Sequence, residues 1–268
     1  MMGQSLNALS ALLARERLAV LAGLAGVTVL AWGYLALDAA RMGGMSAGGP
    51  MGIPAMQPMW VPWGPLELAL TFAMWAMMMV AMMVPSAAPM ILLFAAVCRK
   101  RVELGGPYVP TAAFVLGYVA VWTAFSVAAT LAQWGLHSAA LLSPMTVAAS
   151  PLLGGALLVA AGAWQWMPLK DACLAKCRSP LGFLLTEWRD GTRGAWVMGL
   201  RHGAYCTGCC WALMALLFVG GVMNLLWVVA IAAFVLVEKV APAGGLLGRV
   251  AGVGLVAWGG WMVVAALP

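Results

Sequence analysis

The amino-acid sequence predicts an all-α protein, a polytopic bundle of transmembrane helices. Of its 268 residues, 65% are hydrophobic and 8% are charged, whereas a soluble domain averages about 25% charged residues. Apolar runs of roughly 18 residues or more recur along the chain, and such runs are long enough to cross a bilayer. The net charge of +6 lies in short loops, where it sets topology. No nucleic-acid partner is therefore predicted.

Seven spans are predicted within one transmembrane domain, residues 1–268. The first is about 20 residues long, longer than the roughly 7–15 apolar residues of a signal peptide, so we expect it to be retained. Of the 14 Lys and Arg residues, only Arg41 and Arg201 fall outside the loops of one side. This bias predicts a cytoplasmic N-terminus in a bacterial inner membrane. The spans are placed at about 18–37, 66–90, 109–134, 150–168, 195–219, 223–240 and 247–266.

Two loops are distinctive. The outer loop, 38–65, is rich in Gly and Pro and is not expected to form a regular helix. The inner loop, 169–194, is basic and holds two cysteines, with a short helix expected over 171–176 that Pro180 ends. The outer loop carries Met42, Met45, Met51, Met56 and Met59.

The fifth span holds four residues suited to binding a metal. His202, Cys206 and Cys209 share one face of a helix, since residues three and four apart are neighbours, and Cys210 lies at the edge of that face. Imidazole and thiolate ligands select Cu(I), Zn(II) or an iron–sulfur cluster. Cysteine also packs between helices as a small hydrophobe. With two histidines and six cysteines in the whole chain, their concentration here favours metal binding.

A methionine stripe runs along the second span. Met74, Met78 and Met82 align at every fourth residue, and thioether sulfur is a soft ligand suited to Cu(I). The stripe is equally well explained by Met filling gaps in a packed helix. Pro85 and Pro89 predict that this helix kinks or opens, which leaves backbone carbonyls in need of partners.

Two further groups complete the candidate site. Cys173 and Cys177 face one way if their segment is helical, and they would form a cytosolic acceptor for the metal. Two unconnected cysteines are the alternative. Glu238 is free to point inward, towards His202 or a proton path, while Lys239 points to lipid headgroups. An ordinary interfacial pair is the alternative that we favour for these two residues.

Three segments resemble those of a bacterial family of uncharacterised, predicted metal-binding integral membrane proteins. The resemblance rests on Trp75–Pro89 (WAMMMVAMMVPSAAP), on Gln165–Lys170 (QWMPLK) before the Cys173/Cys177 pair, and on 199–211 followed by 220–227 and the Glu238-Lys239 pair. It covers most of 60–240. It implies a bundle of several spans that binds a metal.

The leading functional hypothesis is an inner-membrane protein that binds a soft metal, Cu(I) before Zn(II), for transport, handling or delivery. Its expected partners are the lipid bilayer, the metal ion, and a metallochaperone or a second copy of the chain. A membrane thiol–disulfide oxidoreductase using Cys206 and Cys209 is one alternative, although only Arg201 is expected to lie near that pair. A non-catalytic scaffold subunit is the other. Neither a nucleophilic triad nor a phosphate-binding loop is found, so the prediction leans away from an enzyme.

Overall fold

The computed structural model describes the backbone of residues 2–46, 63–106, 108–142 and 150–267, and the side chains of 18–40 and of the last three ranges. Helices account for almost all of these residues, which confirms the all-α class. The helices are α1 (Met2–Ser46), α2 (Pro65–Glu103), α3 (Thr111–Ser138), α4 (Pro151–Trp164), α5 (Pro168–Arg178), α6 (Pro180–Glu187), α7 (Gly191–Ala215), α8 (Leu217–Gly220), α9 (Leu225–Val240) and α10 (Gly244–Ala265).

The number of helices able to cross a membrane is smaller than predicted. Within the described ranges, five helical segments are long and apolar enough, or six if α4 and α5 form one bent span. Helix α9 has 16 residues, fewer than the roughly 20 that a bilayer core requires. The count of seven is therefore not confirmed, and the cytoplasmic N-terminus stays a prediction. The five segments are Leu18–Ala40, Pro65–Glu103, Thr111–Ser138, Gly191–Gly220 and Gly244–Ala265.

Both distinctive loops differ from expectation. The inner loop, 169–194, is largely helical and contributes to α5, α6 and the start of α7. The expected short helix at 171–176 lies inside α5, and Pro180 begins α6 because proline is favoured at the first helical position. The outer loop is helical as far as Ser46, where α1 ends. Residues 47–62, with Met51, Met56 and Met59, lie outside the described residues, as do the side chains of Met42 and Met45.

The sharp break in the bundle lies between α4 and α5, not in α2. Helices α4 and α5 are bent by 65° across a short gap, whereas α2 continues through Pro85 and Pro89. The prediction that α2 opens is therefore wrong. The carbonyl freed by Pro85 is that of Ala81, which accepts a hydrogen bond of 3.1 Å from the Trp32 indole of α1. A neighbouring helix thus satisfies the backbone group that proline leaves unpaired.

Helices α3 and α7 make the most extensive contact in the bundle. They approach through Gly117 and Gly199, each of which lies directly against the other helix's backbone. Small residues permit such close approach between helices. The contact sets the distance between Tyr118 of α3 and the cysteine-bearing face of α7.

Replacing Gly199 with alanine should destabilise the bundle, because the new methyl group would overlap the carbonyl oxygen of Phe114. Overpacking of this kind costs about 1–3 kcal/mol, which thermal unfolding in detergent would measure. The control is Gly135→Ala on α3, where a methyl group meets nothing within 4 Å and should stabilise the helix slightly. A Gly199→Ala protein as stable as the wild type would contradict the close α3–α7 contact.

Helix α10 packs chiefly on α4. Gly252 lies against the carbonyl oxygen of Gly162 and the side chain of Gln165, and Gly248 lies against Glu238 and Lys170. The regularly spaced glycines of α10 thus serve contacts within the chain. They hold α10 over the bend that joins α4 to α5.

Candidate metal site

The predicted cysteine–histidine face of α7 is buried inside the bundle. His202, Cys206, Cys209 and Cys210 are at most 2% exposed, and all six cysteines of the chain are free thiols. Helix α7 is continuous over Gly191–Ala215, so these side chains keep the helical spacing on which their alignment depends.

The thiols converge on Cys206. The thiols of Cys177, Cys209 and Cys210 are the neighbouring side chains that most affect the ionisation of Cys206. The thiols of Cys209 and Cys210 also donate to the Cys206 carbonyl oxygen, at 3.1 and 3.0 Å. Cys177 comes from α5, so two helices contribute sulfur to one place.

Met83, which was not predicted from the sequence, lies beside these thiols. Met83 Sδ lies 4.0 Å from Cys210 Sγ. The methionines of the predicted stripe, Met74, Met78 and Met82, are buried in the core around α2. We call the side chains of Cys177, Cys206, Cys209, Cys210 and Met83 the sulfur cluster.

A buried lysine lies against the sulfur cluster. Lys239 is 7% exposed, and its ammonium donates to Cys206 Sγ and to Ser86 Oγ, each at 2.9 Å. The prediction that Lys239 points to lipid headgroups is therefore wrong. Lysine in an apolar interior requires a partner of opposite charge or strong hydrogen-bond acceptors. The Cys206 sulfur and the Ser86 hydroxyl supply these contacts.

Tyr118 of α3 also contacts the Cys206 sulfur. Its hydroxyl lies 3.1 Å from Cys206 Sγ and also donates to the Met83 carbonyl oxygen at 3.1 Å. Tyr118 of α3 and Lys239 of α9 therefore meet at the Cys206 sulfur of α7, and Ser86 of α2 shares the Lys239 ammonium. Their meeting point depends on helix packing, which sequence spacing within one helix does not report.

Both cysteines of α5 are partly exposed. Cys173 packs beside Gly208 of α7, where an added methyl group would come within 2.7 Å of its sulfur. Cys173 thus faces α7. That the α5 pair shares a metal site with the α7 thiols stays a prediction.

Aromatic side chains surround His202, which lies about one helical turn before Cys206 on α7. Its ring lies 5.2 Å from that of Phe183, 5.8 Å from that of Tyr118 and 6.0 Å from that of Phe114. Its Nδ1 has no hydrogen-bond partner. The adjacent Arg201 points away and pairs with Glu187, as expected of an interfacial arginine.

Glu238 forms a buried ion pair, separate from the contacts of Cys206. It pairs with Lys170 of α5, and both side chains are 1% exposed. Lys170 also donates to the side-chain oxygen of Gln165, at the bend between α4 and α5. The favoured alternative of an ordinary interfacial pair is wrong, since Glu238 and Lys239 are both buried. The sequence predicted His202 or a proton path for Glu238, and its partner in the structure is Lys170.

The sulfur cluster is not arranged as a closed coordination shell. Within the part of the chain that the structure describes, no three His, Cys, Asp or Glu side chains adopt a metal-binding arrangement. Two of the thiols are turned towards a backbone carbonyl. Binding a metal would therefore require those two side chains to rotate.

A family model described as a copper chaperone (PpoB2) matches residues 72–262. The match spans well over half of the chain and includes the whole sulfur cluster. The chain belongs to this copper chaperone family. No curated protein and no solved structure matches it.

Copper as cargo fits the donors that the bundle brings together. Thiolate and thioether sulfur are the protein ligands that select Cu(I), and five sulfur atoms come from α2, α5 and α7. The family match supports copper handling as the function of the predicted metal site. The individual ligands stay a prediction.

Proposed function

We propose that the protein is a membrane-integral chaperone that holds Cu(I) on thiolates of the sulfur cluster. The observation that carries this proposal is the grouping of three buried thiols of α7 with the Met83 thioether, beside the partly exposed Cys177 of α5. Cys209 and Cys210 would turn from the Cys206 carbonyl to the metal, which requires only rotation about χ1.

The charges beside the sulfur cluster favour Cu(I) over Zn(II). A Cu(I) ion held by two thiolates carries a net charge of −1, which the ammonium of Lys239 offsets. A Zn(II) ion held by four thiolates carries −2 and leaves one negative charge uncompensated in the interior. Because uncompensated charge is costly where water is excluded, the arrangement fits the monovalent ion. His202 is a further candidate ligand, through its unpartnered Nδ1.

Membrane insertion is supported by the surface of the bundle. Large apolar side chains are strongly exposed on several helices, such as Leu30 at 72%, Leu226 at 80% and Trp261 at 68%. Soluble monomers rarely expose apolar surface so extensively. Lipid would cover these faces, while the sulfur cluster stays within the protein.

A thiol–disulfide oxidoreductase is a poorer fit. The objection that only Arg201 lies near Cys206 is wrong, since Lys239 contacts its sulfur. However, Cys206 and Cys209 are 1% and 0% exposed. Disulfide exchange needs a sulfur that a partner's thiolate can reach.

The test is competition for Cu(I) between the full-length protein in detergent micelles and bicinchoninate, a coloured Cu(I) chelator. We expect the wild type to remove Cu(I) from the chelator, and Cys206→Ser to do so much less, because Cys206 is the sulfur on which the others converge. Cys98→Ser, which replaces a buried cysteine of α2, should behave as the wild type. Equal binding by the wild type and Cys206→Ser would refute the proposal.

A further inference from the structure

Helix α5 packs beside the buried thiols of α7 and is itself partly exposed at the surface. After the 65° bend, α5 packs on α7 with Cys173 one helical turn before Cys177. Cys173 and Cys177 are both partly exposed, whereas Cys206, Cys209 and Cys210 are buried. The cysteine pair of α5 therefore lies between the surface and the buried thiols of α7.

The position of Cys173 depends on Gly208. A methyl group there would lie 2.7 Å from Cys173 Sγ, closer than a carbon and a sulfur atom can approach without one of them moving. The absence of a side chain at residue 208 lets the Cys173 sulfur lie against α7, at the residue that precedes Cys209.

Helix α5 is held in place at both sides of its cysteines. Lys170 forms the buried pair with Glu238 of α9, and Arg178 donates to the carbonyl oxygens of Ala241 and Pro242, each at 2.7 Å. With both ends anchored, movement of a metal ion between Cys173 and the sulfur cluster requires rotation of side chains, not displacement of the helix.

We propose that Cys173 is the entry ligand, which captures Cu(I) from a thiolate donor and passes it to Cys177 and Cys209 of the sulfur cluster. This rests on the proposed copper-binding function and adds a distinct kinetic site to it. A donor of this chemistry is a Cu(I)–thiol complex, small or protein-bound. Cys173 and Cys177 are the partly exposed thiols of the path, while Cys206, Cys209 and Cys210 are buried. Of the two, Cys173 is the one whose sulfur lies against α7, at Gly208.

The transfer is a sequence of ligand exchanges. A Cu–S bond forms to Cys173 as a Cu–S bond to the donor breaks, and the thiol proton of Cys173 passes to the departing donor thiolate. The same exchange then moves the ion to Cys177 and Cys209, and their protons return to the thiols left behind. Copper stays Cu(I) throughout, so no oxidant or reductant is needed.

The experiment separates the rate of loading from the equilibrium. Full-length protein in detergent is mixed with Cu(I)–glutathione in a stopped-flow instrument and then quenched with bicinchoninate, which reports unloaded copper. We expect Cys173→Ser to slow loading at least ~10-fold, since a positioned thiol turns a bimolecular step into an intramolecular one. The final Cu(I) affinity should stay at the wild-type value. Gly208→Ala, which keeps all thiols but displaces Cys173, should slow loading in the same way, and Cys98→Ser should not.

Each outcome of this experiment either supports or overturns the proposed role of Cys173. Slow loading with unchanged affinity in Cys173→Ser and Gly208→Ala supports the entry ligand. Loading at the wild-type rate overturns it and leaves the proposed function intact. A loss of affinity in Cys173→Ser equal to that in Cys177→Ser also overturns it, since Cys173 would then be a resident ligand. Failure of the wild-type protein to bind Cu(I) overturns both proposals.

Discussion

Replacing Glu238 with glutamine is expected to lower the free energy of unfolding by about 3–5 kcal/mol, because removing one partner of a buried ion pair leaves an uncompensated charge. Lys170 and Glu238 are each 1% exposed, so water does not replace the lost carboxylate. The variant should lose the anchor between α5 and α9. Unfolding of the full-length protein by SDS titration in mixed micelles would measure the difference.

Two comparisons make this prediction specific. The double variant Lys170→Met/Glu238→Leu should regain most of the lost stability, because a buried pair replaced by apolar side chains is often neutral or stabilising. Asp171→Asn breaks an exposed ion pair with Arg249 between α5 and α10 and should cost less than about 1 kcal/mol. If Glu238→Gln costs no more than Asp171→Asn, the buried pair is not a structural anchor.

Replacing Lys239 with methionine is expected to weaken Cu(I) binding by about 10- to 100-fold, the range found when a residue that supports metal ligands is removed. Methionine keeps the length and apolar stem of the side chain but removes the ammonium that lies 2.9 Å from Cys206 Sγ. The net negative charge of a Cu(I)–dithiolate would then lack its counter-charge. Competition with bicinchoninate measures the change.

The control is Lys100→Met, at an exposed lysine of α2 that pairs with Glu103. It removes the same charge away from the sulfur cluster and should leave the affinity unchanged. If the positive charge of Lys239 explains its effect, Lys239→Arg should retain much of the Cu(I) affinity, although the planar arginine guanidinium is less compact than the lysine ammonium. An unchanged affinity in Lys239→Met would mean that Lys239 serves packing alone.

The parts predicted correctly from sequence rest on local geometry. Composition and apolar run length predict helices, and the spacing of His202, Cys206 and Cys209 predicts a shared face because a helix repeats every 3.6 residues. The spacing of Cys173 and Cys177 predicts a helical pair that faces one way. Each of these inferences needs only the conformation of one segment, which the residues of that segment largely set.

The parts that sequence missed or predicted wrongly depend on contacts between segments. Met83, which lies beside Cys210, was not selected because a methionine-rich helix offers several equivalent stripes, and the role of Met74, Met78 and Met82 stays a prediction. Lys239 was placed at the headgroups, since a lysine near the end of an apolar run usually reaches outward. Its inward position follows from acceptors on α2 and α7 that are distant in sequence.

The sequence by itself determined that this chain is helical, strongly apolar and carries soft ligands on one face of α7, since composition and periodicity act within a segment. Tertiary structure alone decided that α5 bends back over α7, that Lys239 and Tyr118 meet Cys206, and that Glu238 pairs with Lys170. The physical reason is that apolar helices of similar composition can pack in many ways, and only side-chain shape, close glycine contacts and the pairing of buried polar groups select one of them.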